Sequence, residues 1–151
     1  MSAVVVTAVS KMNLTGGCLC GAVRYHISAP PLVTRTCWCR VCQYIGAGSA
    51  TVNTLVPAAA FVVTGALADY SCAADSGNHM HRRFCMACGT HVYASADERP
   101  QVVVVRVGTL DDPQAVRPEV TIWTRSAPQW ACIDATLPQV EAQPPPPLVT
   151  P

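Results

Sequence analysis

Nine cysteines, seven of them gathered into three tight groups, constrain this chain more than any other feature. The groups are Cys18 with Cys20, then Cys37, Cys39 and Cys42, then Cys85 with Cys88. In a strand, residues two apart point to the same face about 6.6 Å apart along the backbone, so a C-x-C pair can converge on one ion. A C-x-x-C pair does the same from a turn, and Gly89, directly after Cys88, is free to take the positive φ that a tight zinc knuckle uses. A structural zinc takes four ligands, and the outer groups together supply four: Cys18, Cys20, Cys85 and Cys88. Such a closure ties the start of the chain to a distant segment, and its loss should loosen the fold. The bland reading of these four is small, buried, apolar cysteine.

The middle group, Cys37-Trp38-Cys39-Arg40-Val41-Cys42, offers three thiolates and no local fourth ligand. Three protein ligands with one open position is the pattern of a catalytic zinc, which makes Cys37, Cys39 and Cys42 the catalytic candidates. The expected cofactors are thus two zinc ions, one structural and one labile or catalytic. Two other readings of the middle group stay open. It is a second structural site completed by Cys72, His79 or His81, or it is a redox pair, although no thioredoxin-like βαβ pattern surrounds it. Arg82 and Arg83, just before Cys85, are expected near metal, offsetting thiolate charge or clamping a carboxylate. Gly46 and Gly48 either admit a ligand close to the backbone or simply turn the chain.

The rest of the chain indicates what carries these groups. At 151 residues it has the length of one domain, half its residues are hydrophobic, 13% are charged, and 13 prolines and 9 glycines punctuate it. That is a globular composition rich in turns. Strands are expected where Val23, Tyr25 and Ile27 alternate with polar residues, and over Leu32–Cys37, Ser49–Leu55, Ala60–Thr64, His91–Ala94, Val102–Val107 and Val120–Thr124. The best helical prospect is a turn or two over Pro57–Ala60. Ala73–Asn78 reads as an exposed loop. The domain organisation expected is a flexible leader over 1–12, a zinc-binding domain over 13–140, and a disordered Pro-rich tail over 141–151.

A formal net charge of +1 and the absence of any Lys/Arg run argue against nucleic acid and against an anionic membrane surface as partners. The apolar opening has no basic residue ahead of it and too little length to span a bilayer, so the expected location is cytoplasmic, where thiols stay reduced and clustered cysteines mean metal before disulfides.

Four stretches together resemble the glutathione-dependent formaldehyde-activating enzyme family, which also contains the centromere protein V domain. They are Gly16-Gly17-Cys18-Leu19-Cys20-Gly21-Ala22-Val23-Arg24-Tyr25, Cys37-Trp38-Cys39-Arg40-Val41-Cys42, Arg83-Phe84-Cys85-Met86-Ala87-Cys88-Gly89-Thr90-His91 and Gly108-Thr109-Leu110-Asp111-Asp112-Pro113. The resemblance implies a β-tent fold of short antiparallel sheets with long loops, a structural zinc at Cys18, Cys20, Cys85 and Cys88, and a labile catalytic zinc at Cys37, Cys39 and Cys42. It implies a small thiol, glutathione, and an aldehyde, formaldehyde, as partners, condensed to S-hydroxymethylglutathione and classed as a carbon–sulfur lyase for the reverse direction. The chain departs from the family at Trp38, a position often occupied by His, which removes a proton donor and puts bulk beside the expected metal. Its rivals to that activity are a related enzyme on another small thiol or electrophile and a non-catalytic zinc module for protein contacts.

Overall fold

The computed structural model describes residues 12–149. The expected leader over 1–12 therefore lies, apart from Met12, outside the described residues. The fold is mainly β. Its strands are β1 (Leu14–Gly17), β2 (Arg24–Ile27), β3 (Val33–Cys37), β4 (Thr51–Pro57), β5 (Phe61–Thr64), β6 (Leu67–Ala73), β7 (His79–Cys85), β8 (His91–Ala96), β9 (Val102–Arg106), β10 (Val120–Ile122) and β11 (Gln139–Val140), with one short helix, α1 (Arg40–Ile45). Strands β1, β2 and β5 make a small antiparallel sheet. The other eight make a large sheet in the order β11-β10-β3-β4-β9-β8-β7-β6. That sheet is mixed, because β10 runs parallel to both β3 and β11.

Alternation along the central strands sorts side chains onto two faces. One face carries Val56, Val92, Val103 and Val105, and it packs on Leu14, Val23, Tyr25 and Ile27 of the small sheet and its turns. Phe61 joins the sheets, stacking at 5.4 Å on Tyr25 and 4.9 Å on Tyr93. The other face carries Leu55, Met80, Ala94 and Val104 and holds a cavity.

The Gly108–Pro113 stretch latches the two sheets together. Asp111 accepts hydrogen bonds from Thr15 and from both terminal nitrogens of Arg24, Thr109 bonds the Tyr25 hydroxyl at 2.9 Å, and Asp112 caps the turn over Pro113–Ala115. Gly16 fits beneath this latch because a Cβ there would lie 2.3 Å from the Thr109 carbonyl.

Two local expectations are corrected. Pro57–Ala60 forms only a 3₁₀ turn over Ala58–Ala60, and the helix instead spans Arg40–Ile45. Strands β6 and most of β7 were not anticipated, although the loop between them is. In the Pro-rich segment, Gln143 accepts from Trp123 Nε1 at 3.0 Å, and Val149 packs against the cluster that contains Leu55, Met80 and Val104.

Candidate metal centres and the cavity beside them

The turn between β1 and β2 and the turn between β7 and β8 face each other. Each begins with a cysteine carbonyl accepting an amide from a glycine in the left-handed region. Gly21 (φ 81°) donates to Cys18 at 3.1 Å, and Gly89 (φ 72°) donates to Cys85 at 2.9 Å. These turns bring Cys18, Cys20, Cys85 and Cys88 together with all four sulfurs within 4.8 Å of one another. A tetrahedron of zinc–sulfur bonds of roughly 2.3 Å places its sulfurs about 3.8 Å apart. Cys18 and Cys20 stand at 3.5 Å and Cys20 and Cys85 at 3.8 Å, so the four thiols fit a zinc ion.

The surroundings suit thiolates. The amides of Val23 and Ala87 donate to Cys18 and Cys85 at 3.2 and 3.4 Å. The Thr90 hydroxyl accepts from the Leu19 amide and lies 3.2 Å from Cys88, where its hydrogen bond, helped by backbone amides, holds that thiol down to about 5. Thr90 therefore links the two turns, a role that its place in the sequence did not reveal.

The second group forms where β3 runs into α1. Cys39 caps the helix, its sulfur accepting from the Cys42 amide at 3.4 Å, which puts Cys39 and Cys42 on one side of the first turn beside Cys37. All three are buried and lie within 4.8 Å of one another. Among the described residues, no fourth Cys, His, Asp or Glu completes that group. Cys72 sits instead beside Arg82, and His79 and His81 cluster with Asp97. Hydrogen bonds from Cys37 and Cys39, with the charge of Arg106 behind them, pull Cys42 well below the ordinary thiol range, while the hydrogen bonds to Cys39 and Cys42, then burial, push Cys37 well above it. The buried Gln43 fixes this corner by donating to the carbonyls of Trp38 at 2.8 Å and Ser126 at 2.9 Å.

Cys37 and Cys42 open onto a cavity of about 90 Å³ whose walls include Leu55, Met80 and Val104 and four arginines, Arg35, Arg82, Arg99 and Arg106. Burial lowers Arg106, and the charge of Arg82 adds to that. On the far side of Arg106 lies a cleft of about 430 Å³ lined by Thr51, Gly89, Thr90, His91 and Thr109. Burial, then the charges of Arg106 and Arg82, hold His91 below the usual imidazole value.

Of the arginine pair expected near metal, Arg82 joins the second group and Arg83 turns to the opposite face, where it pairs with Asp69 at 3.3 Å. Trp38 is also turned away: it lines a different cleft, with Thr36 and Cys132, and stacks edge-on against Trp130. Bulk at that position therefore does not enter the arginine-lined cavity. Gly46 and Gly48 serve the turn after α1, donating to the carbonyls of Cys42 and Gln43.

The model of the glutathione-dependent formaldehyde-activating enzyme family matches residues 13–126, spanning all seven clustered cysteines. The chain belongs to this family. A Halomonas elongata protein named "Putative glutathione-dependent formaldehyde-activating enzyme" is 28% identical to it over 130 residues, covering 82% of this chain and 83% of that one. A crystal structure of a Rhodobacter sphaeroides protein superposes with a TM-score of 0.53 at 22% identity, covering 69% of this chain and 91% of that chain, and supports the fold. The family's Gly108–Pro113 stretch is here the latch between sheets, and its Cys85–His91 stretch supplies two thiols, the linking Thr90 and the cleft-lining His91. Both cysteine groups of this family member are chemically able to hold metal ions, and thiolate donor sets suit zinc. No helix among the described residues is long and apolar enough to cross a membrane.

Proposed function

We propose that this chain is a zinc-dependent enzyme that joins a small thiol to formaldehyde and cleaves the adduct in reverse, glutathione and S-hydroxymethylglutathione being the pair to which the family name points. The observation that carries this reading is the group of three buried thiols with no fourth ligand among the described residues, opening on a cavity lined by cations. Cys37, Cys39 and Cys42 would hold one zinc at the reacting end, and Cys18, Cys20, Cys85 and Cys88 would hold a second that maintains the fold.

A free thiol with a pKa of about 8.5 is only a few per cent thiolate at neutral pH, so the task of the site is to ionise a sulfur and to place it. Zinc bound by three thiolates would supply a position where the incoming thiol ionises, in preference to polarising a carbonyl. Arg106 contributes positive charge beside that position, and the apolar wall of Leu55, Met80 and Val104 limits water. In condensation, the thiolate sulfur attacks the aldehyde carbon. The sulfur–carbon bond forms as the carbonyl π bond breaks, and the oxygen takes a proton; cleavage runs the same steps backward. The cleft beyond Arg106 has the volume to receive the body of a larger thiol. A cytoplasmic location would suit this chemistry, because thiols are kept reduced there.

The test is exchange NMR of glutathione, formaldehyde and their adduct with the purified full chain. Acceleration over the unaided reaction is expected, with nearly all of it lost in Cys39→Ser while the four-thiol site keeps the chain folded. Acceleration unchanged in Cys39→Ser would sink the assignment. No acceleration by the zinc-loaded wild type would leave a different thiol substrate or a binding role.

A further inference from the structure

The arginines of the cavity are not accounted for by the protein around them. Arg35, Arg82, Arg99 and Arg106 line it, and no aspartate or glutamate does. Strand register assembles them: Arg35 lies opposite Asn53, which lies opposite Arg106, while Arg82 lies opposite Ala94, which lies opposite Val104 on the same face. Arg35 and Arg82 are each only 6% exposed. The Nε atoms of Arg35 and Arg106 are buried and have no hydrogen-bond partner among the described residues. Among the described residues, Arg82 reaches only the Cys72 sulfur and Arg106 only the Asn53 amide oxygen. Glu98, next to Arg99, is committed to the His79 amide and does not line the cavity.

Charge counting decides between a structural and a binding role. Buried guanidinium groups without a counter-charge are costly, because they lose hydration and gain nothing in exchange. The three cysteines of the second group can offset part of that. Arg99 is only half-buried and stays outside the count; with all three thiols ionised and no metal the other three guanidinium groups are just balanced. With a divalent ion on the thiolates two positive charges are in excess. At least one further anion is needed, and guanidinium, with its planar fork of donors, matches a carboxylate.

Size and spacing narrow the class. Arg35 and Cys37 occupy the same face of β3 two residues apart, roughly 6.6 Å between their backbones, and both line the cavity, so an anion held there lies beside the three-thiol group. The cavity, at about 90 Å³, is well below the roughly 300–1,000 Å³ that encloses a whole drug-sized ligand, so it takes a head group.

We propose that this cavity is the seat of a substrate carboxylate, gripped by Arg35 with Arg82 and Arg106 beside it, and that the chain selects thiols carrying a carboxylate a few bonds from the sulfur. The sulfur end of this assignment rests on the thiol–aldehyde reading above, whereas the anion seat rests on the arginines alone.

The experiment is calorimetric titration of the full, zinc-loaded chain with mercaptoacetate and with 2-mercaptoethanol, which share the thiol and differ in the carboxylate. Mercaptoacetate is expected to bind about tenfold tighter or more, and the preference should fall to within about threefold in Arg35→Met. The same variant, without ligand, should melt no lower than wild type, because it removes a buried charge that nothing in the protein pairs. Equal affinities in wild type would overturn the proposal without needing any variant. So would a preference retained in both Arg35→Met and Arg82→Met, or a fall in melting temperature that marks Arg35 as a structural counter-ion. A preference present in a chain that fails to accelerate adduct exchange would reject the formaldehyde reading and keep the anion seat. Acceleration without preference would do the reverse.

Discussion

At the scale of single residues, the metal-binding thiols were readable because their spacing is itself the geometry: C-x-C and C-x-x-C-G determine which sulfurs can meet, and Gly21 and Gly89 take the positive φ that lets them. The residues that serve those thiols were not readable, because their partners are brought in by tertiary structure. Thr90 acts through Leu19 and Cys88, and Gln43 through Trp38 and Ser126. His81 is a similar case. As sequence it was a possible metal ligand; in the fold its Nδ1 lies 2.6 Å from Asp69 and its Nε2 3.1 Å from Asp97. The hydrogen bond to Asp69, then the two nearby carboxylate charges, raise His81 above its ordinary value of 6.5. The sign follows from linkage: a histidine raised by folding adds stability that is present in full below about pH 6.5 and is lost as pH rises through the folded value. NMR titration of the His81 ring should therefore show a midpoint above 6.5 that moves down toward it in Asp69→Asn. The difference in denaturation midpoint between the two proteins should be larger at pH 5.5 than at pH 9. A midpoint unchanged by Asp69→Asn would mean that the pair does not operate in solution.

Among the elements, the strands with clear alternation or Val-rich runs were legible, while β6, β7 and α1 were not, for two distinct physical reasons. Leu67–Ala73 shows only a faint alternation, with Ala68, Tyr70 and Cys72 on its apolar face, and in His79–Cys85 the charge of Arg82 stands between Met80 and Phe84, so the apolar face of each is too weak or too interrupted to show a period. At six residues α1 is shorter than two turns, so no helical period can be seen in it, and such a segment is marginal without anchoring. Its anchor is Gln43, 6% exposed, whose amide group bridges two carbonyls of the surrounding loops. Gln43→Ala should thus cost about 1–3 kcal/mol, the loss expected when buried hydrogen bonds are left unmade. Because α1 carries Cys42 and is capped by Cys39, the same change should speed metal loss from the three-thiol group while leaving the four-thiol group alone. Metal release to a chromophoric chelator, followed together with urea unfolding, checks both, and wild-type values in each would show that α1 is held by something else.

For the whole molecule, the two cysteine groups occupy different mechanical positions. Cys18, Cys20, Cys85 and Cys88 join the first hairpin of the small sheet to the β7–β8 turn of the large one, so they close the molecule across its core. Cys37, Cys39 and Cys42 lie within one strand-to-helix corner and close only a local loop. Closing a long loop restricts the unfolded chain more than closing a short one, and four thiolates surround an ion where three leave it open to competing ligands. Graded chelation of the zinc-loaded chain should then proceed in two stages. A mild chelator should first remove one ion and abolish the acceleration of adduct exchange while the far-ultraviolet circular dichroism and the melting transition stay close to their starting values. A stronger one should remove the second ion and unfold the chain, with a melting transition that returns when zinc is restored. Native mass spectrometry taken alongside counts the ions at each stage. Both ions leaving together with the fold would show that the corner at Cys37–Cys42 is as structural as the hairpin closure, and a first stage that leaves exchange intact would remove the three-thiol group from the chemistry.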